Sequence, residues 1–134
     1  MKIVKLAEFI AVSQQIAPHN MAEIAAAGYL VVINNRPDGE VPDQPGSADL
    51  AAAAQAAGLE YHYMPITPGN FPGPDFARMC ALLDDTRRPI LAFCRTGTRC
   101  ANLWVASKDL ESREQAQVQA RQLGYDLTMS SAKA

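Results

Sequence analysis

The chain has 134 residues, of which 49% are hydrophobic and 19% charged, and its formal net charge is -2. This length and composition fit one globular domain with a core of its own. The charge offers no basic surface for nucleic acid, no apolar run approaches the ~18 residues that a membrane span needs, and the lysine-containing N-terminus is not typical of a signal peptide. Three cysteines without a paired spacing indicate free thiols and a reducing, cytoplasmic location.

Short apolar runs and amphipathic segments alternate along the chain, separated by stretches rich in glycine and proline. In chain order, the pattern predicts a strand at 9–12, a helix at 19–27, a strand at 29–34, a helix at 48–57, a strand at 60–66, a helix at 75–85, a strand at 89–93, and helices at 100–109 and 112–123. This alternation predicts an α/β fold with a mostly parallel central sheet flanked by helices on both faces. We expect one domain over 1–134, with about the last ten residues disordered or forming a short edge element.

The strongest chemical signal is the six-residue segment 94–99, which lies between a predicted buried strand and a predicted helix. Ligands of open α/β sheets bind at the carboxyl ends of strands, and a glycine in the turn lets successive N–H groups converge on one point. The following helix adds its positive end. The predicted anion-binding residues are Arg95, Thr96, Gly97, Thr98 and Arg99, with the guanidinium of Arg99 able to donate two hydrogen bonds at once.

The same surroundings would hold Cys94 as a thiolate, because a helix N-terminus and nearby arginines lower the pKa of a thiol. The structural alternative is that Cys94 is only a small buried apolar residue, which is the commonest role of a free cysteine. Two arginines and a glycine within five residues of it favour a nucleophile. Cys100, one helical turn further on, could act as a resolving thiol for an oxidised or persulfidated Cys94, or could simply pack.

Two segments together form a distinctive sequence motif: Asn-Asn-Arg-Pro-Asp-Gly-Glu at 34–40 and Cys-Arg-Thr-Gly-Thr-Arg at 94–99. With further similarity at 28–33, 58–61, 65–70 and 101–104, the chain resembles the phosphatase-like domain of bacterial beta-lactamase-hydrolase-like proteins over about residues 5–110. That family is a branch of the protein tyrosine/dual-specificity phosphatase fold. The resemblance implies a cysteine-phosphatase-like fold, a nucleophilic Cys94 and a phosphate-binding Arg99.

The loop is one residue shorter than the usual phosphatase signature, which has five residues between the cysteine and the arginine. Here four residues separate Cys94 from Arg99, and the next position is Cys100. A Cys-Arg-x-Gly-x-Arg loop also looks like the active loop of rhodanese sulfurtransferases. Because loop length determines which oxyanion fits, a sulfurtransferase that uses a Cys94 persulfide stays open as an alternative.

A phosphatase also needs an acid that protonates the leaving oxygen, and relatives of this fold keep an aspartate in the loop after the strand that precedes the catalytic one. That loop, 67–71, has no carboxylate in this chain. The candidates are Asp75, which could instead be a helix N-terminal charge, and Asp38, which could instead be a turn residue. Sulfur transfer requires no such acid.

The leading hypothesis is therefore a cysteine-dependent phosphatase-like hydrolase acting on a small anionic or phosphorylated substrate. Arg36, just past a predicted strand end, could help to bind that substrate or could form a surface ion pair. Two separated histidines and no cysteine pair at ligand spacing predict no metal site, and we expect no cofactor and no nucleic-acid or membrane partner. A third possibility is a non-enzymatic module that binds anions or senses redox state.

Overall fold

A computed structural model describes residues 1–131, and its centre is one five-stranded sheet in the order β1-β2-β5-β3-β4. The strands are β1 Ile3–Ala7, β2 Ile10–Ser13, β3 Val31–Asn34, β4 Glu60–Tyr63 and β5 Ile90–Phe93. Only the β1–β2 pair is antiparallel, while β2, β5, β3 and β4 run parallel to one another. The predicted α/β fold with a mostly parallel sheet is confirmed.

Helices cover both faces of this sheet. They are α1 Met21–Ala26, α2 Ser47–Ala56, α3 Phe76–Asp84, α4 Thr98–Ala106, α5 Leu110–Gln122 and α6 Thr128–Ser131, with a 3₁₀ turn at Pro18–Asn20 before α1. One core cluster joins α1 and α2 to one face, and a larger cluster joins the other helices to the opposite face. Adjacent residues of β3 and β5 point to opposite clusters, which is why both strands are buried along their whole length and are apolar except for Asn34. Among residues 1–131, no helix combines the length and apolar character needed to cross a membrane.

At one edge of the sheet, the structure has more strands than the single strand predicted at 9–12. The chain forms two strands there, and the additional one, β1, pairs antiparallel with β2. Lys5 lies in β1, and a charged side chain is tolerated in a strand whose outer edge has no neighbour. Apolar periodicity therefore does not reveal this strand.

The end of the chain also differs from the expected disordered or edge segment. Residues 128–131 form α6, and Leu127 is buried in the core. The buried side chain of Asn102 in α4 orders this segment, because its amide donates to the carbonyl of Asp126 and its oxygen accepts from the N–H and hydroxyl of Ser130. Three of the ten residues, 132–134, lie outside the described part of the chain.

Candidate active site

The candidate site lies where the central parallel strands end. β3 and β5 are neighbours, and the N–H of Asn35 donates to the carbonyl of Phe93 at this edge over 2.9 Å. The chain leaves β5 at Cys94, turns through Gly97 and enters α4 at Thr98. Gly97 has φ of +90°, a left-handed conformation that favours glycine. The sequence therefore builds the predicted strand, loop and helix around Cys94.

The Cys94 sulfur lies inside this turn, where main-chain N–H groups surround it. The N–H of Gly97 lies 3.1 Å from Sγ, and Cys94 itself is fully buried. A hydrogen bond from the Cys100 thiol and others from the amides of Cys100, Thr96 and Arg99 lower the pKa of Cys94 to about 6, although burial acts in the opposite direction. Burial and the neighbouring Cys94 sulfur raise the pKa of Cys100 well above its usual range. These shifts favour the thiolate form of Cys94 and the protonated form of Cys100.

Arg99 at the start of α4 is held in a two-point ion pair with Glu40. Nη2 donates to Oε1 over 2.9 Å, and Nη1 lies 2.9 Å from Oε2. Nη1 also donates to the carbonyl of Ile66 over 3.3 Å. A guanidinium has five N–H donors, so these three contacts leave its Nε side able to donate two parallel bonds to another anion.

Glu40 also pairs with Arg36, whose side chain is only 5% exposed. The Nε of Arg36 donates to Oε1 of Glu40 over 2.9 Å, and its Nη1 donates to Oε1 of Gln15 over 3.0 Å. Partial burial alone would raise the pKa of Glu40, but the hydrogen bonds and charges of Arg99 and Arg36 outweigh it and lower the pKa. Glu40 is therefore an ionised bridge between two arginines, and Arg36 contacts the site through it.

Glu40 is the main site residue that the sequence analysis did not single out as a site residue. It lies at the end of the Asn-Asn-Arg-Pro-Asp-Gly-Glu segment, so the resemblance did mark its neighbourhood. Its partner Arg99 is 59 positions away. A pairing over that separation is visible only once the order of the strands is known.

The remaining loop residues surround the same turn. Arg95 and Thr96 are exposed, and the Thr96 and Thr98 hydroxyls are 3.0 Å apart. The carbonyl of Arg95 accepts from the N–H of Gln15 over 3.4 Å, which ties the turn to the chain after β2. The predicted anion-binding residues 95–99 thus lie in the turn after β5 and the first residues of α4.

The two aspartates predicted as acids make contacts with other parts of the fold. Oδ1 of Asp38 accepts from the N–H of Ser47 over 2.9 Å, at the first residue of α2. Asp75 precedes α3, and its carboxylate lies 3.6 Å from Nη1 of Arg78. Both contacts match the structural alternatives considered for these residues, a turn residue for Asp38 and a helix N-terminal charge for Asp75.

Tyr125 is a second residue beside the turn that the sequence analysis did not identify. A Cβ added to Gly97 would lie 3.4 Å from both Cε1 and Oη of Tyr125. The ring is held there because Asn102 bonds both the Thr98 carbonyl and the carbonyl of the next residue, Asp126. In residues 1–131, no group of three or more His, Cys, Asp and Glu side chains is arranged to hold a metal ion.

Comparison with known proteins agrees with this geometry. Residues 2–111 match the family described as beta-lactamase hydrolase-like protein, phosphatase-like domain. The chain belongs to this family. A beta-lactamase hydrolase-like protein of Xylella fastidiosa is 33% identical over 130 residues, which are 95% of this chain and 30% of that protein. The phosphatase-like domain described here therefore spans under a third of the length of the curated relatives it matches.

Solved structures share the fold of this phosphatase-like domain. A candidate phosphatase from Neisseria meningitidis is 32% identical, with a TM-score of 0.77 over 95% of this chain and 92% of that one. The Pseudomonas aeruginosa protein TpbA, solved with phosphotyrosine, is 12% identical, with a TM-score of 0.62 over 96% of this chain and 76% of that one. The similarity to TpbA, at 12% identity, shows the fold alone. The cysteine-phosphatase-like architecture expected from the sequence is confirmed.

Proposed function

We propose that this domain is a cysteine-dependent hydrolase of phosphoric esters in which Cys94 is the nucleophile. The most direct support is that one loop carries both groups that the reaction needs, a nucleophile and a guanidinium that can bind an anion. The main-chain N–H of Gly97 donates to the sulfur of Cys94 inside the turn, and Arg99 is held by Glu40 with donors left over. Family membership and the Neisseria relative support a hydrolase as the class.

In this proposal the Cys94 thiolate attacks phosphorus and forms a thiophosphate, while the ester oxygen leaves. The main-chain N–H groups of the turn and the Nε side of Arg99 hold the equatorial oxygens, whose charge increases during transfer. Water then attacks the thiophosphate and releases phosphate and the thiolate. Because the pKa of Cys94 is about 6, the nucleophile is already ionised at neutral pH and needs no separate base.

The first substrates to test are aryl phosphates. Phosphotyrosine is an aryl phosphate bound by TpbA, which shares the fold, and a nitrophenyl phosphate has a leaving group that departs without an acid. This matters here because Asp38 and Asp75 are both engaged by other parts of the fold. We propose a cytoplasmic location on the basis of the three free cysteines.

A side-by-side assay of the full chain with nitrophenyl phosphate and with thiosulfate plus cyanide tests this function. We expect release of nitrophenolate that depends on Cys94. Asp38→Asn and Asp75→Asn should be compared on nitrophenyl phosphate and on an alkyl phosphate. A general acid contributes about 10²–10⁴-fold, so loss on the alkyl ester alone would identify the acid.

The second candidate is a sulfurtransferase, and the shortened loop favours it. With four residues between Cys94 and Arg99, the loop is shorter than the loop of the usual phosphatase signature. In addition, sulfite leaves from thiosulfate without an acid. Thiosulfate should then add one sulfur atom to Cys94, visible by mass spectrometry and removed by a reductant. Finding this adduct, with negligible hydrolysis of every phosphate ester, would replace the hydrolase proposal. Binding of phosphate without either reaction would indicate a non-enzymatic anion-binding module.

A further inference from the structure

The turn after β5 is flanked by an aromatic residue from the last part of the chain. Gly97 has no side chain, and a Cβ built on it would lie 3.4 Å from Cε1 and Oη of Tyr125 and 3.5 Å from the carbonyl oxygen of Ser13. The ring of Tyr125 and the end of β2 therefore lie beside the glycine whose N–H donates to the sulfur of Cys94. Neither step of the proposed hydrolysis uses Tyr125.

We propose that Tyr125 is a positioning residue for the nucleophile, and that its ring keeps the N–H of Gly97 directed at the Cys94 sulfur. The inference rests on the proposed function only for the role of Cys94, because Tyr125 acts on the state of the sulfur and not on the choice of substrate. It gives the segment after residue 111, where the match to the family model ends, a part in the site.

The N–H of Gly97 needs support from outside the turn. Glycine adopts positive and negative φ about equally readily, so its φ of +90° is not enforced by a side chain of its own. Rotation of the peptide between Thr96 and Gly97 would turn the N–H away from the sulfur and bring a carbonyl oxygen toward the thiolate. Neighbouring contacts therefore decide how firmly the N–H is held, and Ser13 and Tyr125 are the nearest neighbours on the side where a Cβ would lie.

The backbone on both sides of Tyr125 is fixed, so its ring can act as a firm support. The N–H of Tyr125 donates to the carbonyl of Ala120 in α5 over 3.0 Å. The carbonyl of the next residue, Asp126, accepts from the amide of Asn102 over 2.8 Å, and the same amide donates to the carbonyl of Thr98 over 2.9 Å. Because Asn102 is fully buried, water does not compete for these bonds. They tie the segment that carries Tyr125 to the first residue of the helix after the turn.

The support comes from the ring and not from a charge. Burial raises the pKa of the Tyr125 hydroxyl, so this group is neutral at neutral pH. Phenylalanine would keep Cε1 beside Gly97 and leave the charge unchanged. Leucine would keep apolar bulk near the backbone, but its side chain ends at Cδ, one atom before the Cε1 that lies beside the glycine. These two replacements therefore separate contact with Gly97 from general packing.

The pH dependence of Cys94 alkylation tests this role, because only the thiolate reacts. The full chain is treated with iodoacetamide, and peptide mass spectrometry follows Cys94 separately from Cys80 and Cys100. In the unaltered chain the midpoint should lie near the Cys94 pKa of about 6. In Tyr125→Ala and Tyr125→Leu it should rise by about one pH unit, as expected for the loss of one hydrogen bond to a charged acceptor. Tyr125→Phe should keep the midpoint of the unaltered chain.

Tyr29→Ala is the matched control for the loss of a tyrosine ring. Tyr29 is also partly buried, but it packs against the other core cluster and precedes β3, at the end of the sheet opposite the site. Its loss should lower the resistance to urea without moving the Cys94 midpoint. Circular dichroism checks each fold, and Tyr125→Leu answers the question by itself if Tyr125→Ala does not fold.

Three results would overturn the role of Tyr125. They are an unchanged midpoint in Tyr125→Leu, a shift in Tyr125→Phe as large as that in Tyr125→Leu, and an equal shift in Tyr29→Ala. If nitrophenyl phosphate is hydrolysed, the acid side of its pH–rate profile should move by the same amount as the midpoint. If the midpoint moves as expected but no phosphate ester is hydrolysed, the proposed function is wrong and the role of Tyr125 stands.

Discussion

Two loops leave the same edge of the sheet and contribute to the candidate site in different ways. The loop after β5, residues 94–97, supplies a main-chain N–H group to the sulfur of its own first residue, because the N–H of Gly97 donates to Cys94 Sγ. The loop after β3, residues 35–46, supplies a side chain, because Glu40 reaches Arg99 across 59 positions of sequence. In the proposed function, the first loop makes Cys94 a reactive nucleophile, and the second fixes where the guanidinium of Arg99 points.

The two loops should therefore respond differently to mutation. Main-chain donors cannot be removed by changing side chains, so the loop after β5 is altered mainly through its sulfur and its glycine. The loop after β3 depends on the charge of Glu40, which can be removed with little change of shape. Substitution of Cys94 should therefore reduce hydrolysis the most, substitution of Arg99 less, and substitution of Glu40, which holds Arg99, the least.

Cys94→Ser should have the largest effect on hydrolysis. A serine hydroxyl is not ionised at neutral pH, so the variant lacks the attacking thiolate, and turnover of nitrophenyl phosphate should fall roughly 10⁴-fold or more. Circular dichroism should show an unchanged fold, and Cys80→Ser should keep full activity. Full activity in a folded Cys94→Ser protein would eliminate every function proposed for this site that depends on the sulfur.

Arg99→Lys should have the next largest effect. An ammonium cannot bond Glu40 and an oxyanion with two parallel pairs of donors, so kcat/KM should fall about 10²–10³-fold. Arg87→Lys is the matched control, because the Arg87 side chain is 88% exposed and should tolerate the change. Equal losses in the two variants would show that Arg99 has no special role in binding the anion.

The pH dependence of alkylation tests the state of the sulfur without a substrate. The pKa of Cys94 is about 6, so its reaction with iodoacetamide should be constant well above that value and fall about tenfold per unit well below it. Because the Cys100 hydrogen bond is the largest cause of this low pKa, the midpoint should move to higher pH in Cys100→Ala. A midpoint that stays in place would mean that the turn amides alone hold the thiolate.

Glu40→Gln should have the smallest of these effects on rate, about tenfold, because Arg99 loses its ionic partner but keeps one neutral hydrogen bond. The pKa of Glu40 is lowered in the folded protein, so its ionised form adds stability above the unfolded pKa, and this is lost as pH falls through the folded pKa. The variant should therefore unfold about 1 kcal/mol more easily at pH 7, and the difference should vanish in acid. Urea unfolding measures it, with exposed Glu114→Gln as the control.

The strand, turn and helix around Cys94 were predictable because all of their determinants are adjacent in sequence. A buried strand, Cys94, a glycine with the necessary conformational freedom and a helix start lie within about ten residues. The partner of Arg99 was not predictable in the same way. Glu40 and Arg99 meet only because β3 and β5 are neighbours in the sheet, and residue spacing does not specify which strands are adjacent.

The roles of the carboxylates illustrate the same limit. Asp38 and Glu40 are two residues apart in one loop, yet Asp38 bonds the first residue of α2 and Glu40 pairs with two arginines. The sequence offered Asp38 and Asp75 as the candidates for an acid, because the loop at 67–71 has no carboxylate. Only the fold of the loop distinguishes a carboxylate that caps a helix from one that reaches the site. Whether either aspartate acts as the acid stays a prediction.

The hydrogen bonds of Asn102 also define how much of the chain must be kept in a shortened protein. The match to the family model ends at residue 111, but Asn102 receives two hydrogen bonds from Ser130 and donates one to Asp126. A chain cut at residue 111 would remove both partners of the Asn102 oxygen and one of the two carbonyls that its N–H groups bond, and would uncover the core that Ala116, Ala120 and Leu127 complete. Expression designs for this domain should therefore extend through residue 131, well past the end of the match to the family model.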